Sequence, residues 1–244
     1  MPTRDQRRRT APAMLKAIFD SVMDRRCREL TAQLRDWLPA NGRVLDVGSG
    51  TGHLAELLER ETALEIVTAD VTDMHVRGRA PVLITEGALP FDAGAFSAAL
   101  LVFMLHYPDD PVRLLRETAR VTRGPLIVMQ TVYSGRAGYA WLRMREFLWS
   151  WVAFHVSKAI DYVPRRAVFT MNARRFYTAP ALLRDVAAAG LRVRATRVRP
   201  VLPAGALAVS VWLLEADARA TSPDRATAFG IATSHPRGSA GPDA

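Results

Sequence analysis

The chain has 244 residues, 49% of them hydrophobic, and a formal charge of +9. That length suits one domain with a sizeable core, and the apolar fraction is ordinary for a globular protein. The single cysteine, Cys27, excludes an intramolecular disulfide and fits a reducing compartment. No run reaches the ~18 apolar residues of a membrane-spanning helix. The N-terminal residues are polar and arginine-rich, not signal-like, so a cytoplasmic location is expected. The charge excess is almost entirely arginine scattered along the chain, which speaks against nucleic-acid binding.

Residues 1–10 read as a disordered basic arm. Helical periodicity then runs from Ala11 to Leu38 through Met14, Ile18, Val22, Cys27, Leu30 and Leu34, and predicts two helices. Pro39-Ala40-Asn41-Gly42 breaks them. Strands are expected near 43–47, 65–69, 81–85, 97–103 and 125–131. Helices over 53–60 and 111–121 alternate with them, which argues for a parallel sheet covered on both faces. Residues 133–178 break the rhythm and are too long for a plain connection. Trp141, Phe147, Leu148, Trp149, Trp151, Val152, Phe154 and Val156 make the stretch apolar, with Arg143, Arg145 and Lys158 beside them. One or two inserted helices are expected there. A late helix over 176–191 and a strand pair at 191–199 and 206–214 follow. Residues 216–244 read as a disordered tail, leaving 11–215 as one domain.

The most informative stretch is Arg43-Val-Leu-Asp-Val-Gly-Ser-Gly-Thr-Gly52. A buried strand stops at Gly48, Gly50 and Gly52, and a helix begins at His53. Such a turn lets a ligand approach the backbone, and the helix start offers free N–H groups to an anion. The spacing is G-x-G-x-G, not the G-x-G-x-x-G usual for dinucleotides, which opposes a nicotinamide oxidoreductase. Asp70 ends the next apolar run, about twenty residues on, where nucleotide-binding α/β units place a ribose-binding acid.

With these residues the chain resembles class I S-adenosylmethionine-dependent methyltransferases, in particular the small-molecule branch similar to ubiquinone and menaquinone biosynthesis methyltransferases. Glu86-Gly-Ala-Leu-Pro-Phe91 is similar to the family's acid-plus-LPF segment. Phe96–Tyr107, Pro111–Val121, Leu126–Gln130 and Phe176–Leu191 fall in the family's order of strand, helix, strand and late helix. Two positions depart from the pattern: Ser97 stands where an aspartate is common, and Arg123-Gly124-Pro125 shortens the turn before the fifth strand.

The resemblance implies a Rossmann-like, doubly wound α/β fold: a seven-stranded sheet, mostly parallel, with an antiparallel last strand and a helical insertion between strands five and six. It implies S-adenosyl-L-methionine as cofactor, held by Asp46, Gly48, Ser49, Gly50, Gly52, Asp70 and Val71. Met74 would flank adenine beside Val71, Glu86 would approach it, and Leu101 with Val102 would offer backbone carbonyls. The sliding loop leaves Thr85 as the alternative to Glu86.

Methyl transfer is an in-line displacement in which positioning carries most of the rate. If a base is used, His106 is the first candidate, since it follows the fourth strand at the edge where open sheets hold ligands. Tyr107 shares that edge. Tyr133, Trp141 and Trp149 are candidates for the substrate pocket, whereas His155 reads as a packed or snorkelling residue of the apolar insertion. No His, Cys, Asp and Glu cluster has metal-ligand spacing. The extra apolar surface of 133–178 suits a pocket for an apolar or lipid-like molecule, peripheral membrane contact or a second subunit, with the pocket favoured. The acceptor atom stays open, because oxygen, nitrogen and carbon methyltransferases share this scaffold. A non-catalytic membrane-associated or scaffold protein that retains the fold is the reading from another functional class.

Overall fold

A computed structural model describes residues 4–85, 87–160, 173–202 and 205–217, with residues 4–12, 153–154 and 156–160 described through their backbone alone. The first element is a single helix, α1 (Arg4–Leu34), closed by a short 3-10 turn at Arg35–Trp37. This corrects two expectations. The two predicted helices are one, because no glycine lies between Ala13 and Leu34 and the only proline, Pro12, stands near the start. The backbone of Arg4–Thr10 is helical, since an arginine-rich stretch has high helix propensity whatever its charge. Leu38 is extended at φ −76° and ψ 145°, as the residue before Pro39 tends to be.

The sheet comprises β1 (Asn41–Val47), β2 (Ala63–Asp70), β3 (Val82–Leu83), β4 (Ala98–Val102), β5 (Leu126–Tyr133), β6 (Leu191–Pro200) and β7 (Leu207–Ala216). Their order is β3-β2-β1-β4-β5-β7-β6. Only β7 runs antiparallel to its neighbours. The seven-stranded, doubly wound expectation therefore holds. Edge strand β3 pairs at only two positions, shorter than predicted, and Pro81 before it has no N–H to extend the ladder.

Along β1 the side chains alternate between two cores. Leu45 and Val47 join the layer of α3 (Pro111–Val121) and α5 (Ala179–Ala188), with Phe96, Leu114 and Leu182. Val44 joins the layer of α1 and α2 (His53–Glu61), with Leu34, Leu58 and Ile127. Burial on both faces is why these strands read as continuous apolar runs. Ser97, at the family's aspartate position, donates from Oγ to the Arg43 carbonyl at 2.7 Å and fixes the start of β4 against β1. Arg120 donates to the carbonyls of Leu89 and Phe91, each at 3.0 Å, and holds the Leu-Pro-Phe segment on α3.

The insertion is one helix, α4 (Gly135–Ile160), over its described part; residues 161–172 lie outside the described residues. Gly138 lets it press against the Ala206 carbonyl, where a Cβ would collide. The late helix starts later than predicted, at Ala179, because Thr178 caps it by accepting from Ala181 N, and Pro180 occupies its first turn. Tyr177 instead bridges to Val132. Of the predicted tail, Ala216 closes β7 and residues 218–244 lie outside the described residues.

Candidate active site

The C-terminal ends of the parallel strands β1, β2, β4 and β5 share one edge, and the glycine turn, Asp46, Asp70, His106 and Tyr107 lie in or just after them. The turn after β1 folds back on β2. Gly48 N donates to the Ala69 carbonyl at 2.7 Å, and Gly50 N donates to Asp70 Oδ2 at 2.9 Å. Asp70 Oδ1 accepts from Val71 N at 2.8 Å. Burial raises the Asp70 pKa, while the backbone donors Gly50, Thr72 and Val71 oppose the rise. Gly52 has φ 81°, and a Cβ there would strike the Arg77 carbonyl. Gly50 has φ 58°, and a Cβ there would meet nothing within 4 Å. The turn thus keeps an open space beside Gly50, under the Asp70 carboxylate, of the kind a nucleoside ligand fills.

Asp46 lies beneath the turn, 2% exposed. Burial, and next the negative charge of Asp70, push its pKa up to about 7. The like charge of Asp70 thus favours the protonated form of Asp46 in the absence of a cation. Ser49 Oγ is 2.8 Å from His75 Nε2, a partner with no local motif to mark it. Met74 is buried, and Val71 is 44% exposed. Glu86 lies outside the described residues. The Leu101 side chain is in the core, as its sequence context suggests, which leaves only its backbone for a ligand.

At the end of β4 the chain turns sharply: Phe103 has φ 53°, an uncommon conformation for a non-glycine residue, and its amide donates to the Met129 carbonyl at 2.7 Å. The turn delivers His106 and Tyr107 to a cavity of about 270 Å³. Its floor is His106, Tyr107, Gln130 and Thr131; α1 adds Arg26 and Leu30, α4 adds Leu142, Arg145, Glu146 and Trp149, and Phe176 closes one side.

The floor is polar. Gln130 Nε2 donates to His106 Nδ1 at 2.7 Å, leaving His106 Nε2 and Gln130 Oε1 buried without a partner. Turning the amide over exchanges which atoms are free, yet one donor and one acceptor stay open either way. Burial lowers the His106 pKa, so the ring is neutral at pH 7. Burial, then Glu146, push the Tyr107 phenol up to about 12, so it remains protonated and is no ready base. Arg145 donates to Glu146 at 2.6 Å, and the Arg26 guanidinium lies over the rings of Phe103 (5.3 Å) and Trp149 (5.7 Å).

Of the three predicted pocket residues, Trp149 lines the cavity and the other two do not. Tyr133 packs on Tyr139 at 5.2 Å, and Trp141 stands on α4 away from the lining. His155 is exposed on α4, donates from Nδ1 to the Trp151 carbonyl and lies with its ring 4.2 Å from that of Trp151, the snorkelling alternative of the two. Sequence reasoning missed Gln130, Arg26, Arg145, Glu146 and Phe176. Only Gln130 carried a signal, as a polar residue inside an apolar strand.

A sheet of this order with one reversed strand, and a glycine turn tied to an acid at the end of the second strand, define a class I S-adenosylmethionine-dependent methyltransferase. Residues 19–196 match the family model described as a methyltransferase domain, and the chain belongs to that family. Among curated relatives, the ubiquinone/menaquinone biosynthesis C-methyltransferase UbiE of Citrifermentans bemidjiense is 29% identical over 134 residues, 48% of this chain and 57% of that protein. The UbiE of a Geobacter species is 32% identical over 126 residues, 46% of this chain and 53% of that protein. The chain spans little more than half the length of these relatives. Among solved structures, geranyl diphosphate C-methyltransferase from Streptomyces coelicolor superposes with a TM-score of 0.53 at 12% identity, covering 77% of this chain and 78% of that one. An S-adenosylmethionine-dependent methyltransferase from Methanosarcina mazei gives 0.51 at 15% identity, covering 75% and 96%. These two likenesses are of fold.

Proposed function

We propose that the protein transfers a methyl group from S-adenosylmethionine to a small, largely apolar acceptor bound in the cavity between α1 and α4. The observation that carries this reading is a shared edge: the Gly50–Asp70 turn and the His106–Gln130 floor stand at the C-terminal ends of neighbouring strands. When bound, the cofactor supplies an electrophilic methyl on a sulfonium.

The chain's own residues do the rest. Asp70 accepts the ribose hydroxyls, Gly50 gives the room, and Asp46 ionises against the methionine ammonium. Gly48, Ser49, Gly52 and Val71 shape the wall, and Leu101 with Val102 offer carbonyls. Trp149, Phe176 and Leu142 exclude water from the acceptor. His106 and Gln130 orient a polar group on it through their open donor and acceptor, and His106 Nε2 takes a proton from it in the arrangement where Nδ1 donates to Gln130. Residues 11–215 act as one methyltransferase domain with 133–178 as its acceptor-facing insertion.

Calorimetric titration with S-adenosylhomocysteine, beside NADH, tests the cofactor half. Stoichiometric binding of the former alone is expected, and heat from neither would end the proposal. Incubating the protein with isotope-labelled cofactor and a metabolite extract then identifies the acceptor and the accepting atom.

A further inference from the structure

The two helices that wall the cavity are apolar on their outer faces as well. On α4, Met144, Phe147, Leu148 and Trp151 are 50%, 69%, 50% and 54% exposed. Their i, i+3, i+4, i+7 spacing forms one stripe. Leu142, Arg145, Glu146 and Trp149 occupy the opposite side, against the cavity. On α1, Met14, Leu15, Ile18 and Val22 are 62%, 45%, 53% and 52% exposed, again on one stripe. Cys27, Leu30 and Leu34 face inward. The helices are neighbours: the rings of Phe19 and Trp149 lie 6.4 Å apart. Scattered apolar residues on a surface are ordinary, but an apolar stripe on each of two neighbouring helices, the α4 stripe with the aromatic anchors Phe147 and Trp151, is not.

The exposed charge around the stripes is largely basic, with Glu29 on α1 the exposed acid among the described residues there. Lys16 and Arg28 on α1, and Arg136 and Arg143 on α4, are exposed. The acids of the same stretches are engaged elsewhere. Asp20 and Asp24 pair with Arg77, Glu146 with Arg145, and Glu29 with Arg25 and Arg199. The sequence adds Arg4, Arg7, Arg8 and Arg9 against one acid, Asp5, towards the start of α1, and Lys158 towards the end of α4. Among the described residues no helix is long and apolar enough to cross a membrane. Apolar stripes flanked by cations suit helices lying in a bilayer interface. A second copy fits poorly, because a two-fold contact would set the arginines of one copy against those of the other.

We propose that the outer face of α1 and α4 docks on a bilayer containing anionic phospholipid, with the stripes at the acyl boundary and the arginines on the headgroups. The docking stands independently of the methyl-transfer reading. Co-sedimentation of the full chain with vesicles tests it. Binding to phosphatidylcholine vesicles containing phosphatidylglycerol, weakened by salt, is expected, with little binding to phosphatidylcholine alone. Phe147→Ser with Trp151→Ser should weaken binding by about tenfold or more. S-adenosylhomocysteine affinity and the helical dichroism should be unchanged, which controls for folding. Arg136→Glu with Arg143→Glu should remove the salt-sensitive part. Absence of binding to anionic vesicles, or equal binding to both kinds, would overturn the proposal. So would a dimer in sedimentation velocity that the serine variant dissociates, since the face would then belong to a second copy.

Discussion

The amide of Gly50 donates to Oδ2 of Asp70 across 2.9 Å, tying the turn after β1 to the end of β2. One carboxylate therefore holds the turn and is also the proposed acceptor of the ribose hydroxyls. Charge-assisted hydrogen bonds are worth about 1.5–3 kcal/mol each. Asp70→Asn should lower S-adenosylhomocysteine affinity by at least about tenfold, measured by calorimetry. An unchanged dissociation constant would confine Asp70 to a structural role.

Gly50 and Gly52 should respond differently to alanine. At Gly50 the added methyl enters open space, so the cost to folding is the left-handed backbone, about 1–2 kcal/mol. It fills the proposed ligand space, so cofactor binding should fall much further than stability. At Gly52 the methyl strikes the Arg77 carbonyl, so Gly52→Ala should be the more destabilising variant. Urea denaturation and calorimetry on both variants give the two orders.

Asp46 makes stability fall as pH rises from acid to neutral. Its pKa rises from 3.8 unfolded to about 7 folded, so the folded state keeps its proton longer. Its contribution is intact below pH 3.8 and is lost as pH rises towards about 7. Asp46→Asn removes that loss, so its melting temperature relative to the parent should climb across this window. A difference independent of pH would contradict the shift. If Asp46 meets the ligand's ammonium, S-adenosylhomocysteine binding below neutrality should also release a proton, detectable by calorimetry in buffers of different ionisation enthalpy.

Gln130 should set the state of His106. In the parent, burial keeps the imidazole pKa below its ordinary value. Gln130→Glu places a carboxylate 2.7 Å-range from Nδ1 and should raise that pKa above the ordinary value, read from the imidazole proton resonances. Gln130→Leu should leave S-adenosylhomocysteine affinity intact and slow methyl transfer, as expected of a positioning residue. Weaker cofactor binding with unchanged turnover would reverse that assignment.

The strands, the glycine turn and Asp70 were legible in the sequence because each is specified locally. Apolar runs ending in turn residues mark buried parallel strands, and the Gly48–Gly50–Gly52 spacing marks the cofactor turn. The extent of α1 was misjudged because an arginine-rich stretch carries opposing signals, charge against helix propensity. The acceptor site was far less legible. Arg26 comes from α1, His106 from the end of β4, Gln130 from β5 and Trp149 from α4, and they meet only when the sheet is assembled. No periodicity relates them. Local propensity and spacing in the sequence therefore determined the strands and the glycine turn, and the family resemblance those motifs carry implied the complete sheet and the cofactor class. Tertiary structure decided which face of α4 lines the cavity, that Trp149 lies within it and Trp141 outside, and that His106 is held by Gln130, because those are long-range contacts set by packing.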